Sequence, residues 1–234
     1  MLTNNLLQIK IKQRLNKLAS MDYDNIECWQ IQEAFNKAQL EWVRKQMYGL
    51  NTRREGSEQS TGLVDDLQQI MTSRETTGIK RRGFYEIQLP QEYLYFVRVD
   101  AFAHKTCCPE RRRLTIYQAE EANMGVLLTS DTKGPSFEWG ETVCTLVGDT
   151  VRVYTNDEFD IRDVSLVYYR EPRQVRFQDC ANPDSGGVYE QPQQCEFKDD
   201  IAEIIADEAA AILAGDMESI NQYQRQSQEV QTNS

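Results

Sequence analysis

The spacing of apolar residues switches once from the helical to the strand period, near Gly83, and switches back after Lys198. This succession restricts the chain to an α+β fold in which a β segment is inserted between two helical ones. In the N-terminal part, Leu7, Ile11, Leu15 and Leu18 recur at helical spacing, with Lys10, Arg14 and Lys17 on other faces, which predicts an amphipathic helix. Asp24 and Glu27 form a variant capping box that predicts the start of a second helix. Its buried stripe is Ile31, Phe35, Ala38 and Trp42, and Gly49 is placed to end it. Residues 51–62 hold no large apolar side chain and read as an exposed loop. Leu63, Leu67 and Ile70, flanked by Val64 and Met71, predict a short third helix.

Seven stretches rich in β-branched and aromatic residues follow: 84–89, 93–103, 114–117, 143–147, 151–154, 164–170 and 175–177. They predict an antiparallel sandwich or barrel-like domain. Gly148 and Asp149 mark a hairpin, residues 155–160 a polar connection and residues 120–128 a brief helix. The segment between Cys180 and Cys195 reads as a long irregular loop. Beyond it, Ile201, Ile204, Ile205, Ala209, Ile212 and Leu213 make one wide apolar face, with Asp199, Asp200 and Glu203 suited to the positive end of the helix and Gly215 as its stop. The expected organisation is a helical region over 1–80, a β domain over 81–180, a loop and C-terminal helix over 181–215 that complete a helical layer around the inserted β domain, and a polar tail over 216–234. That tail is rich in Gln and Asn and buries too little to offset ordering entropy, so disorder is expected there.

Charge is unequally divided. Residues 1–118 carry 18 Lys and Arg against 14 Asp and Glu, and residues 119–234 carry 8 against 23. A net charge of -11 opposes wrapping nucleic acid, which needs a basic surface. The asymmetry suits head-to-tail contact between copies, or simply two unequally charged solvated surfaces. Lys80, Arg81 and Arg82, and Arg111, Arg112 and Arg113, lie beside predicted strands. They suit ion pairing with an acidic surface on a neighbouring subunit, although a charged strand edge explains them equally. Asp157, Glu158, Asp160 and Asp163 lack the ligand order of a calcium loop and read as a solvated tip, and they are the acidic candidates for a subunit interface.

The chain holds 40% hydrophobic and 27% charged residues, which describes a soluble globular protein, and no run approaches a membrane span. The N-terminus lacks the pattern of a secretory signal, so synthesis in a cytosol is expected. A phosphate loop, a dinucleotide fingerprint, a nucleophile elbow and a Cys-x-x-Cys pair are all missing, and no cofactor is expected. His104 with Cys107 and Cys108 is the nearest approach to a zinc set, and a fourth ligand is not evident. The six cysteines do not form a secreted scaffold. Cys180 and Cys195 could staple the loop, but free thiols are the default in a reducing compartment.

The run Leu6-Leu-Gln-Ile-Lys-Ile-Lys-Gln-Arg-Leu, followed by Asp22-Tyr-Asp-Asn-Ile-Glu-Cys-Trp-Gln-Ile-Gln-Glu-Ala-Phe, resembles the opening of structural proteins of crAss-like tailed bacteriophages. The segment from Ile201 through Ala209-Ala-Ala-Ile-Leu-Ala-Gly to the Gln-rich end resembles the last helix and tail of their head-to-tail adaptor, or ring, proteins. The β region carries no motif of that family. The resemblance implies a non-enzymatic virion protein, made in the host cytoplasm, that forms a twelve-fold ring in the connector or tail barrel below the portal. It implies a projecting β domain and a tail, with Tyr223 and Arg225, that orders on meeting the adjacent ring. Its partners would be other copies, the portal and neighbouring tail rings, with DNA passing through without specific binding and no membrane involved. The alternatives are a carbohydrate- or protein-binding module using Trp139, Tyr154, Tyr168 and Tyr169, and a carboxylate-based hydrolase.

Overall fold

The computed structural model describes residues 2–15, 26–48, 66–105, 108–130, 132–178, 180–181, 187, 189, 191–216, 228 and 230. In chain order the elements are α1 (Asn4–Leu15), α2 (Cys28–Tyr48), β1 (Met71–Thr76), β2 (Ile79–Lys80), β3 (Phe84–Gln88), β4 (Tyr93–Lys105), β5 (Cys108–Gln118), α3 (Met124–Leu127), β6 (Glu141–Val147), β7 (Thr150–Tyr154), β8 (Asp160–Arg170) and α4 (Asp199–Asp216). They divide into a helical unit, Met1–Gln69 with Pro172–Ser234, and a β unit, Ile70–Glu171. The fold is α+β with a barrel-like β unit inserted in the chain of the helical one. Both boundaries fall about ten residues earlier than the periodicity alone places them.

In the helical unit the expected stripes are the buried ones. Leu7, Ile11 and Leu15 of α1 and Ile31, Phe35, Ala38 and Trp42 of α2 are all buried, each worth roughly 1.5–3 kcal/mol for the larger side chains. Helix α4 packs against both. Its Ala206, Ala209 and Ala210 are fully buried, small side chains that permit close approach. Helix α2 starts at Cys28, later than the Asp24 signal implied. The Glu27 amide donates to Gln30 Oε1 at 2.9 Å while the Gln30 and Ile31 amides donate to the Glu27 carbonyl, so Gln30 supplies the reach-back that fixes the first turn. Leu18, Asp24, Gly49 and residues 51–62 lie outside the described residues.

Residues 175–177 are not a strand. Asn36 accepts from the Val175 amide at 2.8 Å and donates to its carbonyl at 3.1 Å, and Gln32 accepts from the Phe177 amide at 2.9 Å. Asn4 donates to the carbonyls of Arg176 and Gln193. Side chains of α1 and α2 thus satisfy backbone groups that a sheet would otherwise pair, leaving only an isolated bridge between Arg176 and Gln193. Val175 and Phe177 are buried in the helical unit. Of the tail, Gln228 and Val230 are described. Both are helical and Val230 is buried, so the expectation of a wholly disordered tail does not hold at those two positions.

The default of free thiols is corrected at Cys180 and holds at Cys195. Cys28, at the start of α2, is bonded to Cys180 with Cα atoms 5.6 Å apart, and Cys195 is a buried free thiol. Its Sγ faces Gln39 Oε1 at 3.7 Å, and burial pushes its pKa up to about 11.

Among the described residues, eight strands form one sheet in the order β1-β8-β4-β5-β6-β7-β3-β2. Its two edge strands, β1 and β2, are joined through Thr77 and Gly78 alone. Three residue steps span at most about 11 Å, so the sheet must curl until its edges approach. A second corner lies in β5. Residues up to Leu114 pair with β4, while Thr115 to Gln118 pair with β6. The β5–β6 pair is parallel, which corrects the expectation of an antiparallel domain. Residues 119–140, including α3, supply the long crossover that a parallel pair needs. Gly78 fits its corner because a Cβ there would stand 3.2 Å from Tyr85 Cβ.

Strands β1 and β2 occupy the end of what read as a helical region over 1–80, and β1 begins at the last residue assigned to its third helix. Asp66 and Leu67 are helical and Gln68–Ile70 form a 3-10 turn, but Met71 opens a strand. Met71-Thr-Ser-Arg-Glu-Thr is polar at an open sheet edge, so it carries little alternation to detect. Inside the curl, Val99, Ala101, Leu114, Val151, Leu166 and Tyr168 are among the buried side chains that form the core.

Candidate functional site

Of the four acids read as a solvated tip, Asp157, Glu158 and Asp163 are exposed and Asp160 is half-buried, and each is bonded within the β unit. Asn156 and Asp157 both have positive φ (50° and 59°), and the Glu158 amide donates to the Thr155 carbonyl, giving a tight primed-type turn. Asp157 Oδ1 accepts from the Gly83 amide at 3.0 Å. Strands β7 and β8, which this turn joins, do not pair with each other, so it is a crossing within the sheet order and not a hairpin tip. Glu158 pairs with Lys105 at 2.7 Å, Asp160 with Lys80 at 2.5 Å and Asp163 with Arg111 at 2.6 Å.

The two basic runs meet that acidic run within one chain. Arg81 pairs with Glu86 at 3.2 Å, and Arg82 is exposed in the following bend. Arg112 donates to the carbonyls of Phe137 and Glu138, and Arg113 pairs with Asp100 at 3.0 Å. These partnerships give the runs a structural role in the β unit. Tyr223 and Arg225 lie outside the described residues.

Asp160 is the best-supported of the four acids. It accepts from the hydroxyl of buried Tyr85 at 2.7 Å as well as from Lys80. The Lys80 hydrogen bond, then that of Tyr85, holds its carboxyl below the usual carboxylate range, and the Asp160 bond raises Lys80. Desolvation, then the same carboxylate, raises Tyr85. A depressed carboxylate pKa adds stability above its unfolded value of about 3.9, lost as pH falls through the folded value. Asp160→Asn is therefore expected to flatten the acid limb of stability against pH. Urea unfolding between pH 2 and 6 checks this, and an acid limb as steep as that of the wild type would refute it.

Between β1, β4, β5 and β8 the β unit has an open cleft of about 550 Å³. Asp163, at φ 52°, lies where the β4–β8 register slips between Asp100 and Phe102. A bulge of this kind re-aims a side chain, and here the carboxylate reaches Arg111, whose guanidinium stacks over Phe102 at 4.1 Å. Glu75 and Asp100 also line the cleft, so carboxylates outnumber its cation. Asp100 and Asp163 are engaged in ion pairs and Arg111 also stacks on Phe102, so the cleft presents a mixed-charge surface.

Of the four aromatic candidates, Tyr154 and Tyr168 are buried, Tyr169 is partly buried and Trp139 is 80% exposed. The two buried rings follow the strand-period rule that such residues fill a core. His104 lies in β4, with Nδ1 buried and lacking a hydrogen-bond partner. Among the described residues no group of three or more His, Cys, Asp and Glu is placed to hold a metal ion. Cys107 lies outside them.

In the helical unit the structure assembles a charge cluster that periodicity missed. Arg14 of α1 reaches Glu203 at 2.6 Å and Asp207, and Lys10 reaches Glu203. Lys45 of α2 pairs with Glu208, which is buried. Desolvation raises the pKa of Glu208, opposed by Lys45. The available signal was Asp207-Glu208 inside an alanine-rich apolar helix, matched by Lys10 and Arg14 four residues apart on α1.

No protein-family model matches this chain. A search of curated proteins also returns no match. Among the described residues no helix is long and apolar enough to cross a membrane.

Proposed function

We propose that this chain is a non-enzymatic structural protein of a tailed-phage virion, forming a ring in the head-to-tail connector or tail barrel through which DNA passes. The observation that carries the reading is that the two sequence segments resembling connector proteins, at opposite ends of the chain, belong to one helical unit. Helix α4, with its alanine face, packs against α1 and α2. An element of this kind serves architecture, since Glu203, Asp207 and Glu208 along it are engaged in ion pairs with α1 and α2. The acidic balance of the chain suits DNA sliding past without adhering, because like charge suppresses phosphate binding. The ring is twelve-fold, stacks on the portal or an adjacent ring, and needs no cofactor.

Mass photometry of the purified protein at low and moderate salt tests this reading. A discrete ring-sized species is expected, weakened by salt where contacts are ionic. A persistent monomer at every concentration would sink self-assembly. Exposed Trp139 favours a second reading, a carbohydrate- or protein-binding module acting as a monomer. Neutralising Asp157 to Asp163 is a poor probe of either, because those acids are already bonded to partners within the β unit.

A further inference from the structure

Helix α1 carries apolar side chains on two opposite sides. At about 100° per residue, the stripe of Leu7, Ile11 and Leu15 lies roughly 180° from that of Leu6 and Ile9. The first is buried and α4 packs against the helix, whereas Leu6 is 41% and Ile9 51% exposed. The helix has no acidic residue. Lys10 and Arg14 turn to Glu203 and Asp207 within the chain, and Lys12 stands beside Ile9 at the edge of the open stripe.

The same unit also holds a matching groove. Helices α2 and α4 leave a depression of about 250 Å³ walled by Ile26, Trp29, Ala34, Ile212 and Leu213. That volume equals about eight waters, enough for aliphatic side chains to enter. Its charged lining is Glu33 and Asp216 against Lys37. A basic-edged apolar ridge and an acid-leaning apolar groove, both on one unit, are complementary between copies.

We propose that the Leu6–Ile9 ridge of α1 docks into the α2–α4 groove of a second copy, with Lys12 set against Glu33. The proposal rests on the ring reading and names the contact that repeats around it. Ridge and groove are different patches, so the contact is heterologous. Such a contact propagates from copy to copy and closes into a ring when the rotation allows, whereas a self-complementary patch would stop at a dimer. Apolar burial supplies the affinity and the charges set register and encounter.

The test uses the full chain with Ile9→Asp for the ridge and Ile212→Asp for the groove, and with Glu33→Lys as a second, exposed groove variant. Circular dichroism and thermal unfolding establish that each remains folded. Ile9→Asp and Ile212→Asp alone are each expected to raise the concentration at which rings form by on the order of 30-fold or more in mass photometry, and Glu33→Lys by a smaller factor that shrinks with added salt. Mixing Ile9→Asp with Ile212→Asp chains should give dimers and nothing larger, since one intact ridge meets one intact groove. Lys12→Glu should weaken assembly, and Glu33→Lys in the same chain should restore it. Rings from folded ridge and groove variants at wild-type concentrations would overturn this contact while leaving the ring reading standing. A wild-type chain that never assembles would remove both.

Discussion

Reducing the Cys28–Cys180 disulfide is expected to destabilise the protein by about 2–5 kcal/mol, the usual loss for a native disulfide. The bond joins residues 152 apart in sequence and encloses the whole β unit. If the β unit stays folded, the flexible part of that loop shortens to about 50 residues, for which the chain-entropy relation gives about 4 kcal/mol. The bond also anchors the irregular segment after Pro172 to the first turn of α2, and Gln32 and Asn36 in the following turns hold its backbone. Urea unfolding followed by circular dichroism, with and without a phosphine reductant, measures the effect, and Cys28→Ser with Cys180→Ser reproduces it without reductant. The loss should sit in the helical unit, so hydrogen exchange should quicken around α2 while β4 and β8 keep their protection. Coincident urea midpoints for the oxidised and reduced proteins would rule out a bond of this importance.

Arg14→Ala is the second large effect, at about 3 kcal/mol. The Arg14 side chain is 14% and that of Asp207 13% exposed, so removing the cation leaves carboxylates short of a partner where water solvates them poorly. Glu203, 32% exposed and still near Lys10, should lose less. The asymmetry provides the check. Replacing Arg14 and Asp207 together should cost less than the two single changes summed, because no uncompensated charge remains. Additive losses in a double-mutant cycle would show that the pair is not coupled.

The helical stripes were legible because a buried face repeats every three or four residues whatever it packs against. The same held for six of the seven predicted strands and for the brief helix before α3's end, where alternation or a local apolar cluster marks burial. Strands β1 and β2 were not legible. An edge strand exposed on both faces has no alternation, and its existence depends on the β8 and β3 backbones that it meets. Residues 175–177 misled in the opposite direction. Val175 and Phe177 alternate with Arg176 as strand residues do, yet Asn36, Gln32 and Asn4 take their backbone bonds.

Among the candidate sites, sequence identified charged runs and the structure decided whom they face. Lys80 and Asp160, or Arg111 and Asp163, are 80 and 52 positions apart, and nothing in local spacing says that a curled sheet will bring them together. The pairing of Cys28 with Cys180, and not of Cys195, has the same character.

By itself the sequence determined the α+β class, the faces that the helices bury and most strand positions, because each follows from a period of a few residues. Only the tertiary structure decided sheet order, the parallel β5–β6 pair, the disulfide and the partners of the charged runs. Those depend on which distant backbones close upon one another, and a side chain carries no local mark of a neighbour that reaches it from across the chain.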